Sequence, residues 1–434
     1  MIAAVSSSRR SIWALVAVET LCLLGAEVAR FGISIWIYES SRSVTGFSEL
    51  MLANLVPGML ARPIAGSIVD RSSRKLVMIG ASLASLVGTA IVLAGALAGE
   101  LSMPIVIVGA SIASIADSFQ WPALEATIPL MASEEDLPRY NGFMESGRAI
   151  GHFAGPAIGG FTIGVLGVSG LVSFEVVTFA ISIVVVSALH LPRPGAEDHE
   201  GEGEDAGGED EDDGSLAGDL SLGFRWIFAR KPLLKFLLVA TFANFFLAVA
   251  EVVMQPYGLS FLGEEAYGVG NALFGAGMIV GGLLCGPLSV RMSTTAQFFA
   301  AALAIGATFV AFGLAHTAFS FAALNFVAAA MITIANASTM TIWQVKVPDA
   351  LQGRVFSAMG LVADLTTPLA FVLAAPLTEQ LVPAIYGARA AAVWGPPPTG
   401  EMGFLFSAMG AALVVGFVIA WTVRDVRQVA ELPA

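Results

Sequence analysis

The sequence predicts an all-α membrane protein of twelve transmembrane helices, arranged as two six-helix bundles. Three observations point there. Of the 434 residues, 56% are hydrophobic and 13% charged, whereas a soluble domain carries about 25% charged residues. With a mean hydropathy of +0.80, the chain lacks the polar side chains to cover a water-exposed surface. Apolar runs of about 20 residues, the length that crosses the hydrocarbon core, recur along it. One long polar stretch then divides those runs into two sets of six.

In chain order the expected spans are 12–38, 46–69, 76–98, 103–128, 141–166 and 168–190, then 233–262, 269–290, 295–315, 318–345, 354–385 and 401–422. The first run continues past Glu27 to Tyr38 with no small-residue cleavage site, so it is expected to be a retained helix and not a signal peptide. Residues 1–191 form the expected N-terminal bundle, 192–231 a cytoplasmic acidic linker, largely disordered, and 232–434 the C-terminal bundle. Between Glu197 and Asp213 there are eleven carboxylates and no Lys or Arg, so most of the net charge of −13 comes from one run. A Gly-rich acidic segment has no apolar surface to bury. It is read as a solvated linker, with a docking tail as the alternative. GFRWIFARKPLLK (Gly223 to Lys235) is expected to be an amphipathic surface helix leading into the seventh span. Cys22 and Cys285 lie in apolar runs, where an inert thiol is the expectation.

Orientation follows from the loop cations. With both termini cytoplasmic, the inner loops hold Arg9, Arg10, Arg74, Lys75, Arg139, Arg230, Lys231 and Arg291 among others, and the outer loops only Arg42 and Arg389. That asymmetry decides the orientation, and the expected location is the cytoplasmic (inner) membrane, with the lipid bilayer as the protein's solvent.

Charges within the spans come next, because each costs at least about 2.5 kcal/mol to insert. Glu27 and Arg30 sit near the middle of the first span, Asp117 of the fourth and Asp364 of the eleventh. A carboxylate shielded from water can exchange a proton as a cavity opens to either side, so these four residues are the candidates for proton coupling or substrate contact. The blander alternative is static pairing, as of Glu27 with Arg30 or Glu145 with Arg148. Glu19, Arg62, Glu175 and Glu251 fall nearer the expected interfaces, where long side chains reach water cheaply. His152 is read as a packing residue. Phe119, Trp121, Phe245 and Phe246, close to Asp117 or Asn244, could line a cavity for a bulky apolar solute.

Several function classes are disfavoured. No GxxxxGK[ST] loop is present, no His, Cys and carboxylate residues have metal-ligand spacing, and no nucleophile elbow or catalytic dyad stands out. The expectation is a protein that is not an enzyme, needs no cofactor or metal, and engages no nucleic acid. The two halves also echo each other. Gly66-Ser-Ile-Val-Asp-Arg71 closes the second span and Gly286-Pro-Leu-Ser-Val-Arg291 the eighth. Such duplication is typical of transporters that rock two bundles around a site at mid-membrane.

Two motifs carry a resemblance to a known family. Gly66-Ser-Ile-Val-Asp70-Arg71-Ser-Ser-Arg74-Lys75 resembles the loop motif G-x-x-x-D-R-x-G-R-K of the major facilitator superfamily, with Ser73 where the family has Gly. The stretch from Gly142 through Gly151, Gly155, Pro156 and Gly159 to Gly160 is similar to the antiporter motif of that family's drug-efflux branches. Trp121-Pro-Ala-Leu-Glu-Ala-Thr-Ile-Pro129, Arg230-Lys-Pro-Leu-Leu234 and Gly353-Arg-Val-Phe356 resemble the macrolide-efflux and enterobactin-exporter branch. The resemblance implies the major facilitator fold and a secondary active exporter. Its substrate would be a bulky apolar or amphipathic small molecule, a drug-like compound, siderophore or secondary metabolite. Export would proceed by alternating access, with protons as coupling ion, in a monomer. Gly66, Asp70, Arg71 and Arg74 would latch onto Arg354 or the start of the eleventh helix. Gly151, Gly155 and Gly159 recur every four residues and form a ridge of close approach, expected to seal the two halves on the outer side. Two other readings stay open: a non-transporting scaffold acting through the acidic linker, and an importer of a lipid or small metabolite.

Overall fold

The computed structural model describes residues 2–41, 43–131, 137–189, 191, 216–348, 351–427 and 429. Among the described residues it is helical throughout, with no strand. The chain gathers into two compact units, Met1–Asp205 and Ala206–Ala434.

The first unit contains α1 (Ile2–Ser41), α2 (Val44–Arg71), α3 (Arg74–Ala98), α4 (Met103–Met131) and α5 (Leu137–Ala188). Helix α5 is two helices joined at Gly167, whose φ of 62° and ψ of −179° break the helical path. That backbone region is essentially restricted to glycine. Counted on either side of Gly167, α5 supplies the fifth and sixth expected spans, and the break falls where the two apolar runs meet. Helix α1 lies along α5, α2 and α3 lie along α4, and α3 also meets α5.

The second unit opens with α6 (Leu216–Ala229), followed by α7 (Lys231–Leu259), α8 (Glu264–Arg291), α9 (Thr294–Phe312), α10 (Ala318–Lys346) and α11 (Gln352–Pro376). A single turn of wider helix over Leu377–Leu381, with α12 (Val382–Ile385), extends α11. Helix α13 (Ala388–Trp394), α14 (Thr399–Thr422) and α15 (Arg424–Arg427) complete the chain. Of the connection expected over 192–231, residues 192–215 lie outside the described residues, while 216–229 form α6. The predicted surface helix is thus separated from the seventh span at Arg230, because Pro232 occupies a first-turn position of α7. There its missing N–H costs no hydrogen bond. Helix α6 packs on α11, where Gly223 lies against the carbonyl of Arg354 and Ile227 is buried. At its end the Arg230 guanidinium stacks over Trp226, 3.9 Å from the ring centre.

The internal echo is visible in element lengths. Both α2 and α8 have 28 residues and end on an arginine, and both α4 and α10 have 29. Eleven described stretches are long and apolar enough to cross a bilayer, and one of them, Ala154–Ala188, contains the Gly167 break.

Close backbone approach on small residues occurs in both units, and the second adds aromatic packing. In the second, phenyl rings fill the interior. Tyr257, Phe312, Phe321 and Phe406 stack with centroid separations of 5.2 to 5.8 Å, and Tyr257 Oη donates to the carbonyls of Phe312 and Ala315 at 2.7 and 2.8 Å. In the first unit, small residues bring backbones close. A Cβ on Gly88 of α3 would stand 2.8 Å from the carbonyl oxygen of Gly109 on α4. Polar side chains then serve the exposed backbone. Ser114 Oγ of α4 accepts from Gly58 N–H at 2.9 Å and donates to the Asn54 carbonyl at 2.7 Å, entering a turn of α2.

Candidate functional site

Within the first unit a cleft of about 50 Å³ opens among α1, α2, α3, α4 and the second arm of α5. Its charged and polar walls are Arg30, Asn54, Thr89, Asp117 and Glu175. Phe179, Val92 and Val106 supply apolar walls. Asn54 and Thr89 sit beside packing contacts described above. Asn54 belongs to the turn that Ser114 enters. Thr89 neighbours Gly88 at the α3–α4 crossing. Arg30 is one turn beyond Glu27, and its Nη1 donates to Glu27 Oε1 at 3.1 Å.

Helix α1 sits where it does because α5 clasps it from two sides. A Cβ on Gly155 would stand 2.6 Å from Glu27 Cβ and 3.2 Å from Glu27 C, and one on Gly159 2.9 Å from Phe31 Cδ1. Gly151 faces Leu23 in the same way. From the other arm, Thr178 lies against Gly25 and Leu171 against Gly32. The glycine ridge therefore faces α1 of its own unit. This corrects the expectation that it seals one half against the other, since Leu23, Glu27, Val28 and Phe31 already lie along it. Pro156 and Gly160 are buried in the same helix.

Of the residues expected to carry coupling or substrate contact, the structure brings three together. Glu27 is buried, Arg30 half-buried, and Asp117 is exposed into the cleft. Arg30 acts electrostatically on both Asp117 and Glu175, and Glu27 acts on both as well. Two carboxylates placed near interfaces by sequence position belong inside. Glu175 is 8% exposed and lines the cleft together with Thr89. Glu19 accepts from Gln120 Nε2 on both carboxylate oxygens, at 2.9 and 2.8 Å, and from Ser182 Oγ at 3.4 Å. The signal available was Gln120 and Ser182 themselves, polar residues within apolar runs.

The side chains of Asp364, Asp70 and Arg71, and those of Glu145, Arg148 and His152, lie outside the described residues, as do the surroundings of Gly66 and Gly142. Arg74 begins α3, and Arg354 lies in the first turn of α11, both half-buried. Lys75 caps the end of α5, donating to the carbonyls of Ser187 and Leu189 at 2.6 and 2.7 Å. Ser73, where the family motif has glycine, has φ −62° and ψ 113°, an extended conformation that needs no glycine.

The second unit has a cavity of about 60 Å³ among α7, α9, α10 and α14. Its polar walls are Asn244, Asn336 and Thr339, and Phe298 and Phe417 face them. It carries no charged wall residue among those described. The four aromatics proposed as cavity walls line neither cavity: Trp121 packs on the apolar cluster around Ile12, Leu15 and Ile128, and Phe245 stacks on Phe246 at 5.5 Å.

Comparison with known proteins agrees with this architecture. The chain is 23% identical to macrolide efflux protein A of Streptococcus pyogenes over 375 residues, covering 86% of this chain and 89% of the relative. It is 27% identical to the multidrug efflux pump Tap of Mycolicibacterium fortuitum over 356 residues, covering 79% and 83%. Among solved structures, a bacterial homolog of the human lysosomal transporter Spinster aligns with a TM-score of 0.69 at 16% identity, over 98% of this chain and 97% of that one. A bacterial homologue of the iron transporter ferroportin aligns with a TM-score of 0.69 at 14% identity, over 96% and 99%. Residues 15–371 match the sequence profile of the Major Facilitator Superfamily, so this chain, a multi-pass membrane transporter, belongs to that family.

Proposed function

We propose that this transporter exports a bulky apolar or amphipathic small molecule across the cytoplasmic membrane by alternating access, in exchange for protons. The observation that carries the reading is the cleft of the first unit, where Arg30, bonded to Glu27, also acts on the lining carboxylates Asp117 and Glu175. Carboxylates held inside a membrane bundle are expensive unless they serve a pathway. A carboxylate shielded from water at such a place is able to carry a proton from one side to the other. The direction is supported by the relatives named for macrolide efflux and for multidrug efflux. Both termini lie in the cytoplasm in this reading, as the loop cations require, and the acidic residues before α6 form a solvated linker between the halves. Asp70 and Arg71 at the end of α2, with Arg354 at the start of α11, form a latch between states. The transporter works as a monomer.

Inverted membrane vesicles with an imposed pH gradient test the proposal. Gradient-dependent accumulation of a macrolide or a lipophilic amine is expected, collapsing when a protonophore is added. Accumulation that ignores the gradient retires proton exchange. No accumulation of any bulky amphipathic compound retires export.

A further inference from the structure

Helix α6 lines neither cavity, and its amphipathic pattern has a use of its own. From Gly223 to Lys235 the sequence carries four cations and no carboxylate, interleaved with Phe224, Trp226, Ile227 and Phe228. Residues four apart share a side of a helix. Gly223 and Ile227 share the buried side, where Gly223 lies against the Arg354 carbonyl of α11. About 100° further round, Phe224 and Phe228 share another side. Their rings stack with centres 6.2 Å apart, and Phe228 is 61% exposed. Arg225, also exposed, adjoins that pair.

Two observations say what covers the phenylalanine pair. The first is continuity. Helix α6 ends at Ala229, and α7, which is long and apolar enough to cross a bilayer, begins at Lys231. Phe228 is therefore only about 5 Å of helix from the start of a span, within the roughly 5–10 Å that an interfacial helix sinks into the headgroup boundary. The second is charge. Arg225 and Lys231 are exposed, and neither has an ion-pair partner among the described residues. Lys235, by contrast, is paired with Asp425 at 2.6 Å, and Arg230 is stacked on Trp226. Exposed rings beside unpaired cations at the edge of a span match acyl chains under phosphate headgroups. The carboxylates between Glu197 and Asp213 would suit the cations, but the only apolar side chain in that run is Ala206, too little to cover Phe228.

We propose that α6 docks on the bilayer surface and holds anionic lipids there. Arg225 and Lys231 engage headgroup phosphates, and the Phe224–Phe228 pair enters among the upper acyl carbons. Because Gly223 seats α6 on the first turn of α11, a lipid held by α6 also steadies the start of α11. The assignment is independent of what the protein exports and in which direction.

The test is lipid titration of the purified full chain in detergent micelles, read by native mass spectrometry. The probes are phosphatidylglycerol and phosphatidylcholine with identical acyl chains. Each cation at a membrane surface favours an anionic lipid by about fivefold, so two should make phosphatidylglycerol bind on the order of twentyfold tighter. Combining Arg225→Gln with Lys231→Gln should bring the two lipids within about threefold of each other. Phe228→Ser should instead weaken both lipids alike, by about fivefold. All three positions are exposed, so the variants should elute as the parent does. Equal affinity for the two lipids in the parent chain overturns the proposal, as it would if the carboxylates of 197–213 held the cations. An unchanged ratio in the double variant, or unchanged affinities in Phe228→Ser, also overturns it. So does displacement of phosphatidylglycerol by an equal concentration of glycerol 3-phosphate, which would make the ligand a free phosphate and not a lipid.

Discussion

The cavity of the first unit is lined by Arg30, Asp117 and Glu175, and the cavity of the second by Asn244, Asn336 and Thr339. The two differ little in volume, at about 50 and 60 Å³, and they occur in halves where α2 matches α8 and α4 matches α10 in length. Duplicated architecture has therefore not meant duplicated chemistry. Both units draw helices together on glycines, Gly88 against Gly109 in the first and Gly277 and Gly281 against the carbonyls of Phe326 and Ala330 in the second. The second adds an interior of phenyl rings, which offers a soft apolar wall.

The largest expected effect tests whether chemistry is confined to the first unit. Asp117→Asn and Glu175→Gln should each abolish gradient-driven export in vesicles while leaving the purified protein monodisperse. Full export in both variants would erase the distinction between the cavities. Gly155→Leu comes next. Its Cβ would meet Glu27 Cβ at 2.6 Å, so α1 and α5 must part. Overpacking of this kind costs about 1–3 kcal/mol or more, and the Tm in detergent should fall together with export. Gly167→Ala should lower stability by about 1–3 kcal/mol through backbone strain alone, since nothing lies within 4 Å of the new methyl. Thermal unfolding followed by tryptophan fluorescence would show it, with export retained at low temperature. Asn336→Leu in the second cavity should be mildest. A change of about 1 kcal/mol in apparent substrate affinity is expected, a few-fold in half-saturation, with proton coupling intact. Loss of coupling in that variant would show that the uncharged cavity shares the chemistry.

Much of this was legible in the sequence because a bilayer imposes length and polarity residue by residue. The apolar runs marked the spans, and the junction between the fifth and sixth runs fell at Gly167. The Gly151, Gly155 and Gly159 register announced a close contact, and Glu27, Arg30 and Asp117 stood out as charges at mid-span. What the sequence left open depended on which helix faces which. The ridge could have met any neighbour, and its partner is α1. Sequence depth places Glu19 and Glu175 close to water, yet Gln120 and Ser182 on other helices turn Glu19 inward, and Glu175 lines the cleft. Rotation of a helix about its axis is set by tertiary packing, and a hydropathy pattern with residues buried on most faces records it poorly.

The Glu27–Arg30 pair has a bearing on biosynthesis. Helix α1, ending at Ser41, is made before α5, which clasps it and begins only at Leu137. During that interval α1 must reside in lipid with its charges in place, each costing about 2.5–3.5 kcal/mol at mid-bilayer on insertion scales. The Glu27–Arg30 pair needs only one turn of helix to form, so it accompanies α1 from the moment of insertion. Glu19 has no such local companion among its hydrogen-bond partners, Gln120 and Ser182, which arrive with α4 and α5. The arginine that balances the finished cleft thus also serves as the nascent helix's own chaperone.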